Sequence, residues 1–114
     1  MDKPNNQQRI CQVVQLIPKG KVSSYGVIAD LAGLPKRARF VSTALRKTSK
    51  TQELPWHRVL NAQGKISIPN GSPLYQIQWE LLEIEGVLVK NGKGDLKRFG
   101  WKPDLSELLF SLSF

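Results

Sequence analysis

The residue types with the greatest chemical capacity lie in one short run, Pro55-Trp56-His57-Arg58-Val59. His57 is the only histidine among the 114 residues, and the only cysteine, Cys11, is far away in the sequence. A histidine beside a thiol can take its proton and create a nucleophilic thiolate. The neighbour here is a tryptophan, whose indole has an N–H donor and no nucleophilic atom of comparable strength. The run therefore holds a possible general base but no nucleophile for it to activate.

Composition narrows the classes of function. Seventeen Lys and Arg against nine Asp and Glu give a net charge of +8, which indicates an anionic partner, most commonly nucleic acid; a solvated basic surface is the alternative. A single cysteine excludes an intramolecular disulfide framework, and no Cys/His spacing suggests a metal site. The polar N-terminus and the lack of a long apolar run predict a soluble protein without signal peptide or membrane span. No cofactor is expected. We expect it in the cytoplasm, on the nucleoid if the source is bacterial.

Helical periodicity predicts three helices in the first half of the chain. The first helix buries one apolar face and ends at Pro18 and Gly20; that face carries Ile10, Val13, Val14 and Ile17. Ser24 is predicted to cap a short second helix. The inward residues of that helix are predicted to be Val27, Ile28, Leu31 and Ala32. A third helix is predicted from about Lys36 to Lys47, with Val41, Ala44 and Leu45 buried.

The second and third helices, joined by a turn at Gly33, predict a helix-turn-helix at about residues 24–48. The third helix would be its recognition helix, and the opposite face of that helix carries Arg39, Ser42, Thr43 and Arg46. Short hydroxyl side chains between arginines would let the helix approach a polyanion closely. A solvated charged face is the alternative interpretation.

The second half of the chain predicts short extended segments and two further helices. Turns are expected at residues 61–64 and 69–73, a strand at 87–89 and a basic turn at 90–94. A fourth helix ending at Gly86 is indicated by Leu74, Ile77, Leu81 and Leu82. The tail, about residues 104–114, is predicted to form a last helix that packs on the core, with a partner surface as the alternative. The fold class is mainly α with a small β component, in one domain over residues 1–114.

This order of segments resembles the DNA-binding domain of the O6-alkylguanine-DNA alkyltransferases. Their helix-turn-helix is similar to Val22–Gly26, Ile28–Pro35, Lys36–Val41 and Ala44–Arg46. Residues 55–59 resemble their active-site signature, in which a cysteine stands where this chain has Trp56. Leu81–Gly86 resembles the segment that carries their buried glutamate. One branch, the alkyltransferase-like proteins, has tryptophan or alanine at the cysteine position, and this chain resembles that branch closely.

The resemblance implies a winged-helix-like domain with assigned roles for individual residues. It implies that Arg39 enters the base stack as a finger and that Tyr25 crowds a phosphate and bonds the flipped base. It implies a DNA contact surface of Arg39, Ser42, Thr43 and Arg46. It also implies a lesion pocket of Tyr25, Trp56, His57, Val59, Asn70 and Glu85, with His57 and Glu85 as a structural hydrogen-bonded pair. Pro69 stands where many transferases have tyrosine, which leaves the base-contacting loop residues open.

The function implied is non-enzymatic recognition of O6-alkylguanine in duplex DNA, through the minor groove and with base flipping. The resemblance also implies that a monomer marks the lesion for nucleotide excision repair proteins. Two alternatives stay open. One is an enzyme, either a residual alkyltransferase or another base-directed enzyme that uses His57 and Glu85. The other is a helix-turn-helix regulator, which would need a sequence-specific operator.

Overall fold

A computed structural model describes residues 3–48 and 53–114. The helices are α1 (Asn6–Gln15), α2 (Tyr25–Leu31), α3 (Ala38–Thr48), α4 (Pro73–Ile84), α5 (Leu96–Phe99) and α6 (Leu105–Ser111). The strands are β1 (Ser23–Ser24), β2 (Val59–Leu60), β3 (Val89–Lys90) and β4 (Lys93–Gly94), and a single 3₁₀ turn covers Trp56–Arg58. The chain is therefore mainly α with a small β component, as predicted. No helix within the described ranges is long and apolar enough to cross a membrane.

Helices α1, α2 and α3 surround the first part of the core. The Asn5 side chain accepts the backbone N–H of Gln8 and the Gln8 side chain accepts that of Asn5, a capping box that starts α1. Ser24 caps α2 by accepting the N–H of Val27, as predicted. The predicted apolar face of the first helix is confirmed, with Ile10, Val13, Val14 and Ile17 at most 1% exposed.

Two details of the helix-turn-helix differ from the prediction. Helix α3 begins at Ala38 rather than Lys36, because Lys36 has a φ of 64°, a left-handed conformation that cannot continue into a helix. Val27 was predicted to face inward, but it is 42% exposed. Successive helical residues are about 100° apart, so burial of Ile28 and Ala32 turns Val27 towards solvent.

Parallel pairing of β1 with β2 fixes the relation between the helix-turn-helix and the Trp56–Arg58 turn. Ser23 lies opposite Val59, and Ser24 opposite Leu60. Strand β1 runs directly into Tyr25, and the 3₁₀ turn runs directly into β2. Four residues of strand thus hold two distant segments of the sequence side by side.

A second apolar cluster lies beneath α4 and the β3–β4 hairpin, and it contains Val22, Leu60, Ile66, Leu82, Val87 and Val89. The hairpin turns at Asn91 and Gly92, whose φ angles of 55° and 72° suit a tight two-residue turn. The strand predicted at 87–89 instead occupies Val89–Lys90. With the helix-turn-helix of α2 and α3, the hairpin gives the winged-helix-like arrangement that was expected.

The apolar residues that predicted α4 are not all on its buried side. Leu74 is 51% exposed and Ile77 is 42% exposed, whereas Gln78 and Leu82 are buried. The tail prediction is right only in part. Leu108 is buried and Leu112 packs on the first cluster, but Leu109 and Phe110 of α6 are 76% and 92% exposed.

Candidate nucleic-acid interface

A cavity of about 480 Å³ opens beside the recognition helix α3. Its volume lies within the range typical of sites for small ligands. Side chains from α2, α3, the 3₁₀ turn, the following loop and α4 line it, namely Tyr25, Ser42, Leu45, Arg46, Trp56, Ser67, Ile68, Pro69 and Leu74. The lining combines apolar and aromatic walls with a few hydroxyl groups and one guanidinium. Such a site suits a flat heteroaromatic group that carries polar edges.

The β1–β2 pairing holds together the two segments that carry Tyr25 and Trp56. Tyr25 follows β1 directly, and Trp56 begins the 3₁₀ turn that leads into β2. The Tyr25 hydroxyl lies 3.0 Å from the hydroxyl of Ser67, across the cavity wall. The indole of Trp56 stands edge-on to the His57 ring, with ring centroids 6.2 Å apart. Tyr25 and Ser67 therefore provide hydroxyl groups to the cavity, and Trp56 provides an aromatic surface.

The predicted contact face of α3 is continuous with the cavity. Ser42 and Arg46, four residues apart on one helix face, line the cavity directly. Arg39 is exposed one turn before Ser42 on the same face. The Thr43 hydroxyl donates to the backbone carbonyl of Arg39 at 3.2 Å, so this side chain is held against the helix. Arg39 is thus an exposed arginine one helical turn from Ser42, which lines the cavity.

A hydrogen-bonded network lies apart from the cavity lining. His57 Nε2 lies 2.9 Å from Glu85 Oε2. Arg58 donates from Nε to Glu85 Oε1 at 2.9 Å and from Nη2 to Oε2 at 2.7 Å, a bidentate pair. Arg58 Nη1 also donates to the Ile17 carbonyl, and the Gly20 N–H points at Glu85 Oε1 from 3.4 Å. The network joins the 3₁₀ turn, the end of α4 and the turn after α1.

The surroundings of Glu85 keep its carboxylate ionised. Burial disfavours the charge and by itself would raise the pKa. The hydrogen bond from Arg58 opposes this, followed by the hydrogen bond and charge of His57 and by the Gly20 N–H. Together they lower the pKa of Glu85 from 4.5 to about 2. An ionised carboxylate only accepts hydrogen bonds, so His57 Nε2 must carry the proton between them.

The lowered pKa predicts a loss of stability in acid. The folded state prefers ionised Glu85, so its contribution is complete above the ordinary pKa of 4.5 and disappears as the pH falls towards about 2. The shift corresponds to at most about 3 kcal/mol of unfolding free energy. Urea unfolding midpoints measured across this pH range should fall steeply in the natural chain and less in Glu85→Gln. Parallel curves for the two proteins would contradict the prediction.

The only thiol of the chain lies outside the cavity lining. Cys11 is buried on α1, and its sulfur lies 3.5 Å from the Thr48 hydroxyl. That hydroxyl also accepts from the Gln7 side chain, which ties the end of α3 to α1. Over residues 3–48 and 53–114, no group of three or more His, Cys, Asp or Glu side chains could hold a metal ion. The cavity thus offers no thiol as an alkyl acceptor.

Residues 5–87 match the model of a protein family described as 6-O-methylguanine DNA methyltransferase, DNA binding domain. The chain belongs to this family. The DNA base-flipping protein of Escherichia coli (strain K12) is 44% identical over 95 residues, which cover 82% of this chain and 72% of that protein. Alkyltransferase-like protein 1 of Schizosaccharomyces pombe is 39% identical over 100 residues, 83% of this chain and 93% of that protein.

A solved structure of S. pombe Atl1 in complex with damaged DNA containing O6-carboxymethylguanine superposes with a TM-score of 0.79 at 37% identity. The match covers 90% of this chain and all of that chain. The resemblance drawn from the signature and the helix-turn-helix is therefore confirmed, and so is the fold class.

Of the predicted lesion pocket, the structure brings Tyr25 and Trp56 to the cavity and places the others elsewhere. His57 and Glu85 belong to the network described above and do not line the cavity. Val59 is fully buried in β2, and Asn70 is exposed on the loop before α4. Whether these four residues contact a bound base stays a prediction.

Sequence reasoning missed two side chains that support the site. Gln78 is 1% exposed, and its Nε2 donates to the carbonyls of His57 at 3.0 Å and Val59 at 3.1 Å. A polar residue four positions before the buried Leu82 was the available signal, because the two share a helix face. Arg58 was predicted no role beyond its place in the signature, yet it is the bidentate partner of Glu85. The cavity residues Ser67, Ile68 and Leu74 carried no signal beyond a loop and a helix start.

Proposed function

We propose that this protein recognises O6-alkylguanine in duplex DNA and leaves the alkyl group in place. The observation that carries the proposal is the cavity beside α3, which has Trp56 in its wall and no thiol in its lining. The similarity to a DNA base-flipping protein and to Atl1, which was solved with damaged DNA, supports the same class of ligand. Net charge of +8 supports a polyanionic partner.

A base must leave the duplex to reach such a cavity. The purine would lie against the Trp56 ring, and its alkyl group would contact the apolar wall of the cavity. The hydroxyl groups of Tyr25 and Ser67 would meet the polar edge of the base, because the two lie 3.0 Å apart at the cavity wall. An alkyl group held there would lose contact with water, and the residues that line the cavity include no thiol to accept it.

Arg39 is the side chain that would fill the vacated place in the stack. It is exposed one helical turn from the cavity-lining Ser42, on a helix face whose other side chains are mostly short. Alkylation of O6 removes the N1 proton of guanine and weakens the base pair. Extrusion then costs less than the few kcal/mol that a normal pair requires, which favours the lesion over intact guanine. The minor groove suits this binding mode, since its degenerate pattern permits scanning of all sequences.

The His57–Glu85 pair supports a structural role rather than catalysis. Glu85 is engaged by both nitrogens of the Arg58 fork as well as by His57, and neither member of the pair lines the cavity. Reversible binding would leave the lesion in DNA, so its removal must be performed by other proteins. We include in the proposal that the bound monomer marks the site for nucleotide excision repair.

A binding titration tests the proposal. Matched duplexes with one guanine, O6-methylguanine or a bulkier O6 adduct are titrated at a stated salt concentration, because phosphate contacts make affinity depend on salt. We expect tighter binding of both alkylated duplexes and unchanged masses of protein and oligonucleotide afterwards. Equal affinity for alkylated and unmodified duplexes would refute the recognition function. A mass shift in either partner would establish an enzyme instead.

Arg39→Ala is expected to weaken lesion binding by about 1–3 kcal/mol, the range for side chains that stack on bases. Arg39→Lys keeps the charge but not the planar guanidinium, so most of the loss should remain. Lys19→Ala removes an exposed charge elsewhere and serves as the control for net charge. Fluorescence anisotropy with the O6-methylguanine duplex measures all three. An Arg39→Ala affinity equal to that of Lys19→Ala would show that the finger is assigned wrongly.

A further inference from the structure

Three lysines form one row across the hairpin that follows α4. Lys90 lies directly opposite Lys93 in the β3–β4 pairing. Lys93 in turn lies opposite Lys65, through an antiparallel bridge to the segment after β2. Directly opposite residues of a sheet project to the same face. The three ammonium groups therefore extend from one face of the β3–β4 hairpin and of the segment bridged to it, and we call this set the lysine row.

The exposure of neighbouring residues supports this arrangement. Lys65, Lys90 and Lys93 are exposed, whereas the adjoining Val89 and Gly94 are buried on the opposite face. The backbone bonds around the bridge run from Ile66 N to Gly92 O and from Gly94 N to Gly64 O, both 2.9 Å. Lys65 and Lys93 are therefore a non-hydrogen-bonded pair, the type in which opposite side chains approach most closely.

Such a row works against folding. Like charges directly opposite each other destabilise a sheet, and Lys93 has a like neighbour on both sides. In the part of the chain that the structure describes, both ion pairs belong to Glu85, and none involves the row. The nearby Asp95 carboxylate accepts the N–H groups of Lys97 and Arg98 at the start of α5. The row, Lys97 and Asp95 line one cleft of about 550 Å³, so four lysines face a single carboxylate there and the cleft keeps a net positive charge.

The lysine row and the cavity beside α3 share one backbone segment, residues 65–67. Lys65 is exposed, Ile66 is buried and Ser67 is exposed, the alternation of an extended segment. Lys65 and Ser67 thus project to the same side, about 7 Å apart along the chain. Ser67 is the residue whose hydroxyl meets that of Tyr25 at the cavity wall. A duplex that inserts a base into the cavity would therefore bring its backbone towards the row.

We infer that the lysine row binds the phosphate backbone of the same duplex, beside the base inserted in the cavity. The inference rests on the proposed function for the identity of the duplex. Strands lie about 4.8 Å apart, so the row spans about 10 Å. One DNA strand presents a phosphate every 3.4 Å or so along the helix axis, which places several phosphates within its reach. Bound phosphates would relieve the repulsion that the fold otherwise carries.

The salt dependence of binding tests the inference. The triple variant Lys65→Gln/Lys90→Gln/Lys93→Gln is compared with Lys3→Gln/Lys19→Gln/Lys102→Gln, which removes the same charge from exposed positions elsewhere. Each lost phosphate contact lowers the slope of log affinity against log salt by about 0.9. The row variant should lose about two to three units of slope on alkylated and unmodified duplexes alike, and the control variant less than one. Equal slopes for the two variants would overturn the inference.

The unmodified duplex separates this inference from the proposed function. If the natural chain shows no preference for alkylated DNA, lesion recognition fails, yet a slope change confined to the row variant would still establish the phosphate contact. If the preference is present and the row variant keeps the natural slope, only the row inference fails. An acidic protein partner would then be the better explanation of the row.

Lys93→Gln adds a readout of its own. Removing the central charge relieves two repulsions, so the melting temperature should rise by a few degrees while the salt slope falls by about one unit. If Lys93 instead stabilised the fold without contacting DNA, its substitution would lower the melting temperature and leave the salt slope unchanged. A lower melting temperature with an unchanged slope would overturn the inference.

Discussion

Trp56→Cys is expected to turn this protein into a stoichiometric acceptor of the methyl group from O6-methylguanine in DNA. The substitution places a thiol in the cavity wall, directly before His57 in the chain. Because ionised Glu85 fixes a proton on Nε2, Nδ1 is the His57 nitrogen that would take the thiol proton, through a water if needed. The sulfur would then attack the methyl carbon, the carbon–oxygen bond would break and guanine would regain its N1 proton.

Mass spectrometry after incubation with an O6-methylguanine duplex measures the transfer directly. The variant should gain one methyl group on the peptide that spans position 56, while the oligonucleotide loses it. Cys11→Ser in the same background removes the natural thiol, and Trp56→Ser supplies a hydroxyl of similar size as the matched control. Neither the natural chain nor Trp56→Ser should change mass. A Trp56→Cys variant that still binds the lesion yet gains no mass would show that His57 is not placed to activate a thiol there.

The predictable part of the fold follows from local rules. The buried face of α1 and the Ser24 cap of α2 were found correctly, because periodicity and capping depend on residues only a few positions apart. The start of α3 was wrong because Lys36 adopts a left-handed backbone that its residue type does not announce. The predicted burial of Val27 was wrong because a two-turn helix has room for one buried edge, and only packing decides which edge that is.

The candidate site was predictable where residue type carries the chemistry. Trp56 and Tyr25 were named from the signature and the helix-turn-helix, and both line the cavity. Gln78 was missed because its role is to donate to two main-chain carbonyls, and carbonyls have no sequence signature. The lysine row depends on the register between strands of only two residues. Such short pairings are set by tertiary contacts, so the chain pattern showed only a basic turn.

Glu85→Ala is expected to destabilise the fold by about 3–5 kcal/mol, the usual effect of removing one partner of a buried charge pair. The side chains of Glu85, Arg58 and His57 are 9%, 16% and 11% exposed, so the remaining partners could not recover full hydration. The loss would also free the Gly20 N–H, which now points at the carboxylate. The 3₁₀ turn that carries Trp56 would keep the β1–β2 pairing and the two hydrogen bonds from Gln78, but it would lose its link to the end of α4 through Glu85.

Urea unfolding at neutral pH measures this loss, with Glu83→Ala as the matched control. Glu83 lies in the last turn of α4, two residues before Glu85, and is exposed, so its removal should change the unfolding free energy by less than about 0.5 kcal/mol. Glu85→Gln keeps the size of the side chain but not its charge, so it separates packing from electrostatics. If charge pairing is what matters, Glu85→Gln loses most of the same stability and its unfolding midpoint no longer falls steeply between pH 4.5 and about 2. If Glu85→Ala were as stable as Glu83→Ala, the hydrogen-bonded network around Glu85 would not contribute to the stability of the fold.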